Sequence, residues 1–197
     1  GATAPEARER AVQAMNDRLR HRGPDDEGLW SDDVATLGQR RLSILDLSPA
    51  GHQPMASACD RYVITYNGEI YNHRDLIADL EDTGVTFRGH SDTEILVEAC
   101  ARWGVEWTLD RVAGMFAFAL WDREQRTLVL ARDRLGKKPL YWTSAGGRLA
   151  FASELTALTL LPATPRRIDR DALCLYLRHA SVPAPRTILE GVHKLEP

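Results

Sequence analysis

The chain has 197 residues, of which 44% are hydrophobic and 27% charged, with a formal net charge of −3. This length is enough for one well-cored domain, and the composition excludes disordered and fibrous chains. Acidic and basic residues are interspersed, so we expect no nucleic-acid surface. Without a bilayer-length apolar run or the apolar segment of a signal peptide, the expected location is cytoplasmic, with no membrane partner. The spacings of three cysteines and six histidines predict neither a disulfide framework nor a metal site.

The first half of the chain predicts helices and strands in alternation. Apolar residues at four-residue intervals indicate helices, and apolar residues at every second position indicate strands. Asn72 and Ser91 are the expected helix N-caps, with Ser91 and Glu94 forming a capping-box sequence. The predicted elements are a helix over 5–20, a strand over 35–45, a loop over 48–51, a strand region over 62–72, and helices over 72–84 and 91–104.

The second half is richer in strands. A hairpin is predicted over 115–131 with its turn at 122–126, followed by short strands at 140–143 and 149–152. Two helices are predicted over 154–161 and 169–180. The tail over 181–197 contains three prolines and resembles an exit from the domain more than a packed element. The pattern predicts one α+β domain over 1–197 with layered antiparallel sheets.

The segment Tyr66–Asn72 carries the clearest functional signal. Asn67, Gly68 and Glu69 combine a carboxamide, an unhindered backbone amide and a carboxylate where an apolar strand is expected to end. The Asn side chain and the Gly N–H can stabilise one oxyanion, while the carboxylate suits an ammonium group. The competing interpretation is that Asn-Gly is only a hairpin turn.

Eight sequence blocks occur in the order seen in class II glutamine amidotransferases, and they most resemble the glutaminase domain of glutamine-hydrolysing asparagine synthetases. The resemblance runs from about Glu6 to Leu195. It implies an N-terminal nucleophile hydrolase, a four-layer α/β/β/α sandwich of two antiparallel sheets, with its first strand missing from this chain. The blocks are Arg20–Asp26, Arg41–Asp46, Gly51–Met55, Tyr66–His73, Ser91–Glu94, Gly114–Ala119, Ala131–Asp133 and Gly136–Tyr141.

The resemblance also implies roles for individual residues. Arg41 would grip the α-carboxylate of L-glutamine, Asn67 and Gly68 would form the oxyanion hole, and Glu69 and Asp92 would hold the α-ammonium. By itself, Arg41 could be a surface charge, and Asp92 could simply favour a helix N-terminus. Arg22 would lie near the nucleophile or pair with Asp25. The remaining residues implied to bind glutamine are Leu42, Ser43, Ile44 and Leu45.

The nucleophile itself is the main departure. Family members use an N-terminal cysteine, but this chain begins Gly1-Ala2-Thr3-Ala4. Cys59 follows a loop, and Cys100 and Cys174 are expected to be buried and inert on helices. We therefore expect the chain alone to be inactive, as a truncated part of the parent enzyme.

Partners and cofactors follow from the same resemblance. The tail would lead to an absent C-terminal synthetase domain that amidates aspartate, so ATP and magnesium are implied for that domain and no cofactor for this one. The resemblance allows a homodimer. Two alternatives are a nucleophile-free glutamine-binding or scaffolding domain of another amide- or lactam-forming synthetase, and a relative that feeds ammonia to a sugar-phosphate or phosphoribosyl acceptor, whose blocks would match less well.

Overall fold

The computed structural model describes residues 4–42 and 49–197, with Pro49 described through its backbone only. The elements are helices and antiparallel strands, so the α+β class is confirmed. The helices are α1 Ala4–Arg18, α2 His73–Asp82, α3 Asp92–Trp103, α4 Val105–Arg111, α5 Leu155–Leu158 and α6 Arg170–His179. The strands are β1 Asp26–Ser31, β2 Thr36–Arg41, β3 Met55–Ala56, β4 Tyr62–Ile70, β5 Gly114–Asp122, β6 Thr127–Arg132, β7 Tyr141–Ala145, β8 Arg148–Ala152 and β9 Val192–Lys194.

These strands form three antiparallel groups. β1 pairs with β2, the largest sheet has the order β3-β4-β5-β6, and the third has the order β8-β7-β9. In the central pair, Tyr62 to Ile70 run opposite Asp122 to Gly114 without a break in register. β3 covers only the first part of the outer edge of β4, where Met55 pairs with Ile64.

The two faces of β4 have different neighbours because strand side chains alternate between faces. Ile64, Tyr66 and Ile70 belong to the main core, which α2 and α3 complete with side chains such as Leu80 and Leu96. The opposite face carries Val63, which packs with Leu37 of β2 and Trp121 of β5. Helix α1 contacts the far side of β1 and β2, and also α5.

Most of the predicted elements are confirmed, and the departures are informative. The helices expected from Asn72 and Ser91 begin there, and the Ser91 hydroxyl accepts the Glu94 N–H as an N-cap does. β1 and α4 were not predicted. The strand predicted over 35–45 is present as far as Arg41, and its last residues lie partly outside the described chain. After residue 114 each predicted helix and strand has a counterpart, although the helix predicted over 154–161 is shorter and spans Leu155–Leu158.

The tail expected to leave the domain is packed against it. Val192–Lys194 forms β9 on β7, Thr187 is buried, and Arg132 donates to the Leu195 carbonyl at 2.7 Å. The missing apolar periodicity reflects a three-residue strand, which is too short to display a pattern. Every described helix falls short of the length and apolar character needed to cross a membrane.

Helix α3 is fastened to the loops around it by two buried carboxylates. Glu94 accepts the Arg88 and Gly89 N–H groups at 2.9 Å each, and Glu98 accepts the Ala58 N–H at 2.6 Å. The pKa of Glu98 is raised, chiefly because burial disfavours the charged form. Because α3 begins at Asp92, these contacts help to hold the helix that carries this residue.

We expect Glu98→Gln to raise the free energy of unfolding at pH 7 by roughly 1 kcal/mol, because the amide oxygen can still accept the Ala58 N–H without a buried charge. Glu98 binds its proton more tightly in the folded state, so its protonation favours folding at low pH. That contribution is lost as pH rises through the folded-state pKa. The advantage of the variant should therefore shrink at pH 4. Urea unfolding at both pH values would test this, and an equal difference at the two pH values would contradict it.

Candidate functional site

The segment Asn67-Gly68-Glu69 lies inside β4, so the strand does not end here as expected, and the competing interpretation of Asn-Gly as a hairpin turn is wrong. Asn67, Gly68 and Glu69 pair with Ala117, Phe116 and Met115 of β5, and the strand continues to Ile70. A β-carbon added to Gly68 would lie 2.4 Å from the Met115 carbonyl oxygen, so the close approach of β5 requires glycine here. Long-range strand pairing therefore overrides the local turn preference of the dipeptide.

The Gly68 N–H faces the outer edge of β4, away from β5. On either side of it, the Tyr66 N–H donates to Gln53 Oε1 at 2.7 Å and the Ile70 N–H donates to Asp92 Oδ2 at 3.0 Å, both beyond the end of β3. Alternate residues of an antiparallel strand point their N–H groups to the same side, so Gly68 shares the direction of Tyr66 and Ile70. The predicted oxyanion donor thus lies on an edge that β3 does not cover.

Asp92 reaches the same edge from the helical layer. It is 6% exposed, and its Oδ2 atom accepts the Tyr66 hydroxyl at 2.8 Å as well as the Ile70 N–H. Burial raises the pKa of Tyr66, and the charges of Asp92 and Glu69 raise it further. Asp92 and Glu69, which sequence analysis assigned to one ammonium group, therefore both raise the pKa of the Tyr66 hydroxyl.

Arg41 ends β2 on the same side of the molecule. Leu37 packs with Val63, and Gln39 Nε2 donates to the Tyr66 carbonyl at 2.9 Å, so β2 runs alongside β4 in the two residues before Arg41. Its guanidinium covers Gly51, where an added β-carbon would lie 2.1 Å from Nη2. Leu42 is exposed, and Ser43, Ile44 and Leu45 lie outside the described residues.

Arg22 pairs with Glu154, a partner that sequence analysis did not offer. Arg22 Nη1 lies 3.4 Å from Glu154 Oε1, and His21 Nε2 lies 2.9 Å from the same atom. Burial alone would raise the pKa of Glu154, but the hydrogen bonds and charges of these partners lower it overall. The sequence separation of more than 130 residues hid this contact from sequence analysis.

A cavity of about 530 Å³ opens beside the site. Residues of β2 and β8 line it, and so do Asn67 and Arg22. Much of the remaining lining is apolar and comes from α1 and β5, including Met15 and Ala117. Among the described strands, β2 and β8 each pair on one side only, so two strand edges border the cavity.

None of the described cysteines is placed to act as the nucleophile of this site. Cys100 is buried in α3, and burial raises the pKa of its thiol to about 12. Cys59 precedes the opposite end of β4, and Cys174 lies on α6. Cys174 is exposed, so its predicted burial is wrong, because α6 covers the protein with Ala172 and leaves the Cys174 side of the helix open.

A family model described as a glutamine amidotransferase domain matches residues 1–197. The chain belongs to the glutamine amidotransferase domain family. It is 40% identical to asparagine synthetase [glutamine-hydrolyzing] 1 of Bacillus subtilis over 96% of this chain, and 39% identical to a putative asparagine synthetase [glutamine-hydrolyzing] of Mycobacterium tuberculosis over the whole chain. It spans only 29% and 32% of those two proteins, respectively.

The fold of this glutamine amidotransferase domain also resembles solved structures. The glutamine phosphoribosylpyrophosphate amidotransferase of B. subtilis superposes with a TM-score of 0.63 at 22% identity, over 76% of this chain and 40% of that one. A structure described as the allosteric regulatory enzyme of purine biosynthesis gives the same TM-score at 23% identity, over 77% of this chain and 41% of that one. At these identities the likeness concerns the fold alone.

Sequence analysis missed the residues that hold the site together. Gln39, Gln53 and Tyr66 make the hydrogen bonds that position β4 and Asp92. Gln53 belongs to the block Gly51–Met55, and this was the sequence signal that could have identified it. Its role depends on its hydrogen bond to Tyr66 of β4, which the sequence does not show. The part of the chain that the structure describes contains no group of three or more His, Cys, Asp or Glu placed to hold a metal ion.

We expect Gly68→Ala to destabilise the domain by at least about 2 kcal/mol, because the added methyl group would collide with the backbone of β5. Gly84→Ala is the matched control: it meets no atom within 4 Å, and its φ of +87° alone should cost roughly 1 kcal/mol. Chemical denaturation would measure both. Equal losses in the two variants would contradict the close approach at Gly68.

Proposed function

We propose that this chain is the glutaminase part of a glutamine-hydrolysing asparagine synthetase. It would bind L-glutamine and convert it to glutamate and ammonia, which the parent enzyme would use to amidate aspartate. The observation that carries the proposal is the outer edge of β4, where the Gly68 N–H lies between two anchored backbone groups beside the Asp92 carboxylate. The names of the relatives, which are glutamine-hydrolysing asparagine synthetases, support the same reaction and acceptor.

The proposed substrate contacts follow from charge and geometry. Arg41 can form a bidentate contact with the α-carboxylate, since its guanidinium is planar and always charged. Glu69 and Asp92 would hold the α-ammonium, with Leu42, Ser43, Ile44 and Leu45 completing the pocket. The side-chain amide of Asn67 and the backbone N–H of Gly68 would stabilise the oxyanion formed at the glutamine carboxamide.

The proposed reaction uses the thiolate of an N-terminal cysteine as its nucleophile. The thiolate would attack the carboxamide carbon, ammonia would leave after protonation, and water would hydrolyse the γ-glutamyl thioester to glutamate. None of these steps consumes ATP, so we assign ATP and magnesium to the synthetase part of the parent. We further propose a cytoplasmic location, where its free thiols would remain reduced.

We propose that the strand carrying this cysteine occupies the cavity between β2 and β8. Each of these strands pairs on one side only among the strands that the structure describes, and Asn67 and Arg22 line the same space. A strand in that position would join the β1-β2 and β8-β7-β9 groups into one sheet and complete a four-layer α/β/β/α sandwich. Its thiol could then approach Asn67, with Arg22 close by.

The nucleophile can be tested in the full-length gene product. We expect a cysteine at the mature N-terminus and release of glutamate from L-glutamine, measured by a coupled glutamate assay. The 197-residue chain and a Cys→Ala variant of the full-length protein should show no turnover above background. A full-length protein without that cysteine would contradict the proposal and favour a nucleophile-free glutamine-binding domain.

The carboxylate clamp can be tested separately. In the full-length protein, Arg41→Ala should raise the KM for glutamine by about 10- to 100-fold and leave kcat within a few-fold, because the clamp binds ground state and transition state alike. Arg126→Ala is the control, since that arginine pairs with Asp33 on an exposed turn. An unchanged KM in Arg41→Ala would mean that Arg41 is only a surface charge.

A further inference from the structure

Two glutamine side chains hold the peptide groups of Tyr66, where β3 no longer covers β4. Gln53 Oε1 accepts the Tyr66 N–H at 2.7 Å, and Gln39 Nε2 donates to the Tyr66 carbonyl at 2.9 Å. Met55 pairs with Ile64, so continuing the antiparallel register would set residue 53 opposite residue 66. The Gln53 side chain thus takes the place of a strand backbone and ends the ladder just before Gly68.

Gln53 also connects this edge to the start of α3. Its Nε2 atom donates to Thr93 Oγ1 at 3.1 Å, and both side chains are buried, with 5% and 3% exposure. Thr93 directly follows Asp92 in the first turn of the helix. One side-chain amide therefore joins the strand that carries the proposed oxyanion donor to the helix that carries a proposed ammonium ligand.

We propose that Gln53 is a positioning residue for glutamine hydrolysis. It sets the Gly68 N–H, two residues beyond Tyr66, and the Asp92 carboxylate at a fixed separation, so that the carboxamide and the α-ammonium of one substrate are held together. This inference rests on the proposed function. Gln53 does not touch the substrate, since its two polar ends are occupied by Tyr66 and Thr93.

The two ends of the Gln53 side chain should affect different kinetic constants. The Tyr66 end determines where Gly68 stands, and an oxyanion donor acts mainly in the transition state, so its loss should lower kcat. The Thr93 end determines where Asp92 stands, and an ammonium ligand contributes to substrate binding, so its loss should raise KM. A side chain that merely filled space would produce neither pattern.

The test uses the full-length enzyme and three substitutions. Gln53→Met, of similar shape, should lower kcat by about 30-fold, a size typical of a slightly misplaced catalytic group. Gln53→Glu keeps an acceptor for the Tyr66 N–H and should recover kcat to within about fivefold of the wild type. Thr93→Val should raise KM by about fivefold with kcat within twofold.

Leu158→Ala is the control for stability, because Leu158 is fully buried in a separate core cluster with Met15 and Val192. It should lower the melting temperature without changing kcat. The positioning role is overturned if Gln53→Met retains wild-type kcat, or if Gln53→Glu is as slow as Gln53→Met. If Gln53→Met fails to fold, the other two variants test the positioning role. A KM that is unchanged in Thr93→Val overturns the proposal.

The same series separates this inference from the proposed function. A wild-type enzyme that releases no glutamate contradicts the proposed function itself. A wild-type enzyme that turns over normally, beside variants with unchanged kcat and KM, contradicts only the positioning role of Gln53.

Discussion

Strand β4 is paired on both sides as far as Ile64, and among the described residues the outer-edge N–H groups of Tyr66 and Ile70 meet side chains instead of a strand. The candidate site depends on the end of this strand pairing, because backbone N–H groups can face a ligand only where a strand edge is not paired. Gln53 and Asp92 occupy the N–H groups of Tyr66 and Ile70. These hydrogen bonds hold the backbone on both sides of Gly68 and so fix the direction of its N–H group.

Asp92 has a structural role besides its proposed role in binding. A buried carboxylate is costly unless it is hydrogen-bonded, and here a phenol and a backbone amide meet one of its two oxygens. That arrangement fixes the orientation of the carboxylate. A rigid charge is better suited to holding an ammonium group than a mobile one, since little conformational entropy remains to be lost on binding.

The cavity between β2 and β8 places a second constraint on the fold. Much of the lining of this cavity of about 530 Å³ is apolar, so apolar side chains placed in it would gain packing contacts. A strand that filled it would stabilise the domain and, in the proposed mechanism, bring the thiolate to Asn67. Folding and assembly of the catalytic site would then be coupled in the full-length enzyme.

Local sequence patterns predicted most elements, since amphipathic helices such as α3 and alternating strands such as β4 and β5 carry strong periodic signals. They failed where distant contacts decide the structure. Asn67-Gly68 adopts a strand because β5 lies against it, Arg22 pairs with Glu154 across the chain, and β9 is too short to show a pattern. The resemblance to glutamine amidotransferases supplied the candidate residues. The hydrogen bonds by which Gln53 and Tyr66 connect these residues depend on the three-dimensional structure.

The central claim is that the outer edge of β4 is the glutamine site. The most direct test is a crystal structure of the full-length protein with L-glutamate, the proposed product, bound. The account predicts its α-carboxylate on Arg41, its α-ammonium between Glu69 and Asp92, and its γ-carboxylate within hydrogen-bond distance of the Asn67 side chain and the Gly68 N–H. Glutamate bound elsewhere, or in this region with its γ-carboxylate away from Gly68, would contradict the account.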